Sequence, residues 1–427
     1  MTIVAGTAVA QLIVVASSPV LSRLYTPSEF GAFGVVAAAL GILTVVSCLT
    51  YEYAIPLPPS DDEAASILAL CLLVALAFGT ASAVVLWVAG PWLFESAGVS
   101  ALSAYAMLLV LGQVGGGFVV ALTSWAVRSR SYADIAANRL SQTAALVLGQ
   151  LGSGALGLGA PGLLMGSVLG SVSGSTRLAR AAWRISAPSF RRVSRSGVAA
   201  AARRYRRFAF MSAPSAFLNT LGLQAPLLLV VILYGTQTGG EYTLAQRVIA
   251  LPTTLVAGAV GQVFTAEAAQ LARSDPDGLR ALFWKTTRQL AAIAIVPMVG
   301  IAAVSQAAFG FVFGEDWVVA GVFVAILAPM YYLQFVTSPT GSALDILERQ
   351  DLHLLRELCR IALLGGSVVV AWSLNLPAIG AVVALSVAGC LISLLYGLLS
   401  WRAIVGHPSG GSPPAVATPD PVAGSPD

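Results

Sequence analysis

The 427-residue chain is 57% hydrophobic and only 10% charged, with a mean hydropathy of +0.84, where a soluble domain carries about 25% charged residues. So few charges could not cover a water-soluble core of this size, and the chain is expected to lie in a membrane along its whole length. The formal net charge of +4 comes from basic residues placed between apolar stretches rather than on a soluble module with stacking aromatics, which argues against a nucleic-acid partner.

Taken in order, apolar runs bounded by charge, Gly or Pro predict twelve spans: 3–21, 32–50, 67–89, 101–122, 133–155, 159–179, 208–233, 242–262, 286–310, 318–340, 354–373 and 376–400. Each approaches the ~20 residues that a helix needs to cross a bilayer. The first run lacks a basic segment before it and reads as a retained helix rather than a signal peptide. It meets the second at a short polar hinge, Arg23-Leu24-Tyr25-Thr26-Pro27-Ser28-Glu29-Phe30-Gly31. Spans five and six are separated only by Gly157, Gly159 and Pro161. Gly162, Gly166, Gly170 and Gly174 recur every four residues along the sixth, a face suited to close helix packing. The expected organisation is a six-helix bundle at 1–180, an Arg-rich linker at 181–207, a second six-helix bundle at 208–403 and a disordered tail at 404–427 rich in Pro, Gly and Ser.

Orientation follows from the basic residues. With the N-terminus in the cytoplasm, the inside connections hold Arg128, Arg130, ten arginines from Arg177 to Arg207, Arg273, Arg280, Lys285, Arg349, Arg356 and Arg402, and the outside connections hold only Arg23. Positive charge stays inside, so both termini are expected to be cytoplasmic. The arginine-rich linker reads chiefly as a topology-fixing connection, with gripping of anionic lipid headgroups as the functional alternative.

Six plus six spans invite a search for symmetry. Leu24-Tyr25 is followed by Gly31 and Phe33, and Leu233-Tyr234 by Gly240 and Tyr242, with the same spacings of six and eight from the tyrosine. Each hinge carries a glutamate, Glu29 or Glu241, and a further glutamate follows the second span of each half, Glu52 or Glu267. This favours a duplicated bundle whose copies share one orientation, an architecture suited to two halves rocking about a central cavity.

Catalytic signals are weak. Cys48, Cys71, Cys359 and Cys390 lie in or beside apolar runs without metal or disulfide spacing. Asp275-Pro276-Asp277 reads as a turn rather than a sugar-transfer motif, and Gly152-x-Gly154-x-x-Gly157 has no strand before it. No catalytic residue, metal or cofactor is expected. Ionisable groups in or beside spans are costly to bury and point to function. Arg139 and Arg247 are assigned to a wet, cation-biased cavity together with Arg23 at the hinge and the neutral Asn219, Gln224 and Gln246. Arg288 and Arg360 lie near enough to a span end to be expected to snorkel. Tyr25, Glu29, Gly31, Glu52, Tyr234, Pro252 and Glu267 are the structural or gating candidates. No Asp or Glu of the kind a proton- or sodium-coupled exporter uses is expected deep in a span.

Several motifs carry a resemblance. Gly6-Thr7-Ala8-x-Ala10-Gln11, the hinge Arg23–Gly31, Tyr51-Glu52-x-Ala54-Ile55-x-Leu57-Pro58, Ala245-Gln246-Arg247-Val248-x-x-Leu251-Pro252, Gly314-Glu315-x-Trp317, Leu327-Ala328-Pro329 and Leu347-Glu348-Arg349-Gln350 resemble the polysaccharide biosynthesis (Wzx-like) flippase family of the multidrug/oligosaccharidyl-lipid/polysaccharide (MOP) exporter superfamily. The resemblance implies an all-α integral membrane protein with twelve helices in two pseudo-symmetric six-helix bundles, similar in fold to the MATE drug exporters. It implies a flippase moving a polyprenyl-diphosphate-linked oligosaccharide across a bacterial plasma membrane for surface polysaccharide such as O-antigen, with arginines holding the diphosphate. Membrane lipids and other polysaccharide-assembly proteins would be further partners, and any coupling ion would be H+ or Na+. The alternatives are an ion-coupled small-molecule exporter, a membrane glycan polymerase and a non-transporting scaffold. The polymerase would need a large arginine-bearing outside loop, whereas the outside loops here are short. Family members usually have a short cytoplasmic lead before the first helix, and this chain starts almost directly in it.

Overall fold

The computed structural model describes residues 2–96, 98–347 and 349–406. Helix α1 spans Thr2–Leu24, α2 Pro27–Val46, α3 Asp61–Ser96, α4 Ala106–Arg128, α5 Tyr132–Ala155 and α6 Ala160–Arg191. A short α7, Arg195–Arg204, lies in the connection between halves. The second half holds α8 Ala213–Ile249, α9 Gly258–Ser274, α10 Pro276–Phe313, α11 Val318–Thr337, the one-turn α12 Ala343–Ile346, α13 Gln350–Ser373 and α14 Ala378–Val405. Nine helical stretches among these described residues are long and apolar enough to cross a membrane. The more polar α5, α6 and α13 pack among them. At Gly235, whose backbone is non-helical (φ 83, ψ 175), α8 divides into two arms, the second continuing through a π turn at Thr253–Ala257 into α9. With the arms counted separately, α1–α6 and α8–α14 form two six-helix bundles of a multi-pass membrane protein. The tail beyond Gly406 lies outside the described residues.

The local chemistry explains the breaks. Thr26 and Glu29 close a capping box, with Pro27 at the first helical position, so α1 must stop and α2 start at the hinge. Asp275 likewise accepts from the Gly278 N–H ahead of Pro276, so Asp275-Pro276-Asp277 is the start of α10 rather than a free turn.

Backbone bonds repeat across the halves at a constant separation. Leu158 N donates to Ser153 O (3.1 Å) and Leu376 N to Ala371 O (3.0 Å), with left-handed Gly157 (φ 69) and Asn375 (φ 46) at equivalent places. Ser131 N donates to Ala126 O (2.8 Å) and Arg349 N to Leu344 O (2.9 Å). The α5–α6 and α13–α14 pairs are thus built on one plan. The four spaced glycines of α6 all meet α5: Gly162 faces Ser153, Gly166 faces Gln150, and Gly170 and Gly174 face Gln142.

Both termini of the described chain lie on one face, here the terminal face, opposite the hinge face of the α1–α2 turn. At the hinge face one buried core spans both halves, including Leu21, Phe30 and Val36 from the first and Tyr242, Phe313, Trp317 and Phe323 from the second. Toward the terminal face the cores separate. Ile55, Ile67, Leu68 and Trp125 form one with α7, and Phe264, Phe283 and Ile404 belong to another. The halves share one core at the hinge face and have separate cores toward the terminal face.

Candidate functional site

The join is made by the two hinges themselves. Gly31 on α2 and Gly240 on the second arm of α8 face each other. A Cβ on Gly31 would fall 1.7 Å from the Thr236 carbonyl oxygen, and one on Gly240 1.8 Å from that of Pro27. Ser28 Oγ and Thr236 Oγ1 lie 2.8 Å apart across the same contact. Ser22 donates to the Phe313 carbonyl (2.9 Å), and the Trp317 indole donates to the Ser22 carbonyl (3.0 Å). Phe30, with no exposed surface, meets Trp317 edge-to-face at 5.1 Å. Arg23 is exposed and donates to Phe311 O at 3.4 Å, while Glu29 is taken up by the Thr26 cap, so the two do not pair.

Tyr25 and Tyr234 act alike within their own halves. Tyr25 is buried, its hydroxyl donating to Gln150 O at 2.7 Å, and Tyr234 donates to Leu376 O at 2.9 Å. Tyr25 is therefore a structural tie between helices. Glu241 is also buried just past the second hinge.

About seven residues, or ~10 Å, below Gly240, the Arg247 guanidinium lies over the Phe30 ring at 5.8 Å. Among the described residues it has no carboxylate within salt-bridge distance. Such a cation–π contact is worth about 0.5–2 kcal/mol and leaves the donors free. Arg247 thus sits directly under the seal, between the halves.

The second polar centre lies within the second half. A cavity of about 400 Å³ is lined by Asn219, Gln246, Tyr331, Arg356, Arg360 and Tyr396, among others. Arg356 and Arg360 stand one turn apart on α13 with Glu357 between them: Glu357 pairs with Arg360 at 2.6 Å and also with Arg356. Arg360 Nη2 also donates to Asn219 Oδ1 (3.1 Å), and Arg356 lies 4.4 Å over the Tyr396 ring. Gln246 Nε2 donates to the Tyr242 hydroxyl at 3.1 Å. Arg360 is only 9% exposed. It does not snorkel, because Asn219 on the facing helix supplies a partner that sequence position alone does not reveal. Glu357, partly buried about 10 Å along α13, is the acid that the sequence did not suggest this far into a span. Arg288 lies against Trp284 at 5.6 Å.

Arg139 occupies a different place. It lines a cavity of about 220 Å³ between α1, α5 and α6 with Gln11, Gln142 and Ser171. Gln224 sits between the halves, its Nε2 near Gly41 of α2. The candidates are therefore distributed over three positions: a first-half cavity, the seam between halves and a second-half cavity.

At the terminal face the paired glutamates do not correspond. Glu52 is 3% exposed, its Oε2 has no partner among the described residues, and burial pushes its carboxyl up to about 7. Glu267 is exposed on α9. Pro252 stands where the helical ladder shifts into the π turn at Thr253–Ala257, as expected where proline removes an N–H. The acidic start of α3 clasps the end of α4 and the connection between halves. Asp61 pairs with Arg128 (2.9 Å), Asp62 with Arg192 (3.2 Å) and Glu63 with Arg204 (2.9 Å). Thr50 donates to Phe208 O at 2.9 Å. Among the described residues no group of three or more His, Cys, Asp or Glu is placed to hold a metal ion.

The arrangement can hold an anion by arginine forks and surround its neutral parts with amide and phenol groups. A model of the polysaccharide biosynthesis protein family matches residues 20–321. The teichuronic acid biosynthesis protein TuaB of Bacillus subtilis (strain 168) is 28% identical over 138 residues, a match spanning 32% of this chain and 28% of that protein. Among solved structures, a multidrug resistance MATE family transporter of the MOP superfamily in its inward-facing conformation has a TM-score of 0.73 at 16% identity, covering 93% of this chain and 94% of that one. The lipid II flippase MurJ in an inward closed conformation has a TM-score of 0.69 at 13% identity, covering 93% and 89%. The fold is the one these transporters share.

Proposed function

Because the chain belongs to the polysaccharide biosynthesis protein family, we propose that it is an alternating-access flippase for a polyprenyl-diphosphate-linked oligosaccharide, working in a bacterial plasma membrane with its terminal face in the cytoplasm. The observation that carries this reading is the Arg356–Glu357–Arg360 cluster in the second-half cavity. A diphosphate offers oxygens to both guanidinium groups and competes with Glu357 for them. Gln246, Asn219 and the tyrosines can accept and donate to sugar hydroxyls. Arg247, with no acid in salt-bridge distance among the described residues, gives the headgroup a second cation under the seal on its way between faces. The seal at Gly31 and Gly240, with separate cores at the other face, supports a state open toward the terminal face. Opening the seal would release cargo at the hinge face. The dense basic charge of the terminal face supports its cytoplasmic placement. The protein's part is binding and movement, with no bond made or broken.

Reconstitution into vesicles with a fluorescent polyprenyl-diphosphate sugar tests this. The protein should speed the sugar's appearance in the opposite leaflet. No acceleration over empty vesicles, across several glycans, would remove the reading. A second reading, an ion-coupled small-molecule exporter, is favoured by buried Glu52, whose Oε2 has no partner among the described residues, and by Glu357 within α13. It predicts drug efflux driven by an ion gradient and no movement of the lipid-linked sugar.

A further inference from the structure

The arginines of the connection between halves divide into two classes. Arg192 and Arg204 are spent on the acids of α3. Arg177, Arg180 and Arg184 are not: they recur at i, i+3 and i+7 on one face of α6, and among the described residues none has a carboxylate within salt-bridge distance. All three are exposed and share an open concavity of about 730 Å³ with Trp183 and Asp134. Asp134, on the first turn of α5, offsets one of the three charges.

Depth places this patch at a lipid boundary. Helix α6 starts at Ala160 at the hinge face and runs antiparallel to α5, so Arg177 and Arg184 lie about 26 and 36 Å along it. A hydrocarbon core is about 30 Å thick, so the three guanidinium groups straddle the headgroup level of the terminal-face leaflet. Trp183, 52% exposed and stacked on Phe190 at 6.0 Å, presents an aromatic ring at the same level, where such rings settle between acyl chains and headgroups. Among the described residues the concavity is lined by α5 and α6 and shares no residue with the second-half cavity.

We infer that Arg177, Arg180 and Arg184 form a docking site for the phosphodiester headgroup of an anionic phospholipid in the terminal-face leaflet, with Trp183 against its glycerol and upper acyl region. The site would hold the first half against the leaflet while the second half moves.

Native mass spectrometry of the full chain, released from nanodiscs holding equal phosphatidylglycerol and phosphatidylcholine, tests the assignment. Wild type should retain phosphatidylglycerol in preference to phosphatidylcholine. The triple variant Arg177→Gln, Arg180→Gln, Arg184→Gln should lose at least about tenfold of that retention. Removing equal charge from the connection by Arg203→Gln, Arg206→Gln and Arg207→Gln should leave it within twofold. Equal loss in both variants, loss in neither, or no preference in wild type would overturn the site. Displacement of phosphatidylglycerol by equimolar polyprenyl diphosphate would also overturn it and reassign the patch to the transported lipid. If the α6 variant fails to fold, the wild-type protein still decides. The Trp183 share of fluorescence, taken as the difference from Trp183→Phe, should be quenched more by brominated phosphatidylglycerol than by brominated phosphatidylcholine. Equal quenching contradicts the proposal.

Discussion

Gly31 and Gly240 meet back to back where the two hinges cross, each leaving too little room for a single Cβ against the other hinge's backbone. Equivalent residues of two repeated halves thus form one contact, with Thr236 and Pro27 as the carbonyls on either side. Such a contact has two states, closed or parted, with little between. Gly31→Ala should cost the closed state at least about 1–3 kcal/mol, the usual range for overpacking. Spin labels at Leu24 and Phe311, both exposed at this face, should then report longer distances by double electron–electron resonance. An unchanged distance distribution would show that the glycines do not control closure.

Arg360 and Arg247 should fail in the same assay for different reasons. Arg360→Gln removes the guanidinium that Asn219 and Glu357 hold, at a stability cost of about 1.5–3 kcal/mol, and transport of the lipid-linked sugar should fall at least tenfold. Arg247→Ala removes the cation–π contact with Phe30 and, among the described residues, no ion pair, so stability should fall by no more than about 0.5–2 kcal/mol while transport falls. Wild-type transport in either variant removes that residue from the cargo path.

Glu52 gives a pH dependence whose sign is fixed. Its ordinary value is 4.5 and burial raises it to about 7 in the folded protein. Below the lower value the carboxyl is neutral in both folded and unfolded chains, and its full contribution to stability is present. As pH rises toward 7 the unfolded chain gives up the proton first, so stability is lost through this window, by about 3 kcal/mol at most. Thermal melts at pH 5 and pH 8 should therefore differ more for wild type than for Glu52→Gln. An equal pH dependence in both would place the titrating group elsewhere.

The clasp between α3 and the connecting segment is exposed, and each of its pairs should be worth less than about 1 kcal/mol. Asp62→Asn with Glu63→Gln should leave the melting temperature almost unchanged yet speed hydrogen exchange across residues 192–207. Exchange as slow as in wild type would mean that the bonds of Thr50 to Phe208 O and of the Tyr51 hydroxyl to Ala202 O (3.2 Å) hold the segment unaided.

Much of this was legible in the chain. The tyrosine-to-glycine spacing marks both hinges, and glycines Gly162 to Gly174 mark the α5–α6 contact, because close approach demands small residues wherever it occurs. The Arg360 site was not legible. An arginine six residues past the start of the 354–373 span reads as snorkelling unless the facing Asn219 is known, and that pairing crosses 141 positions of chain. The matching of Glu52 with Glu267 failed because it followed order along the chain rather than helix register: one carboxyl is enclosed by α3 and its turn, and the other faces outward on α9.

A reversible lock on the hinge face tests alternating access most directly. Ser28 and Thr236 already touch across the seal, so Ser28→Cys with Thr236→Cys should form a disulfide in the closed state. The oxidised protein, reconstituted with the fluorescent polyprenyl-diphosphate sugar, should move none of it, and reduction should restore movement. Wild-type movement by the locked protein would contradict the account.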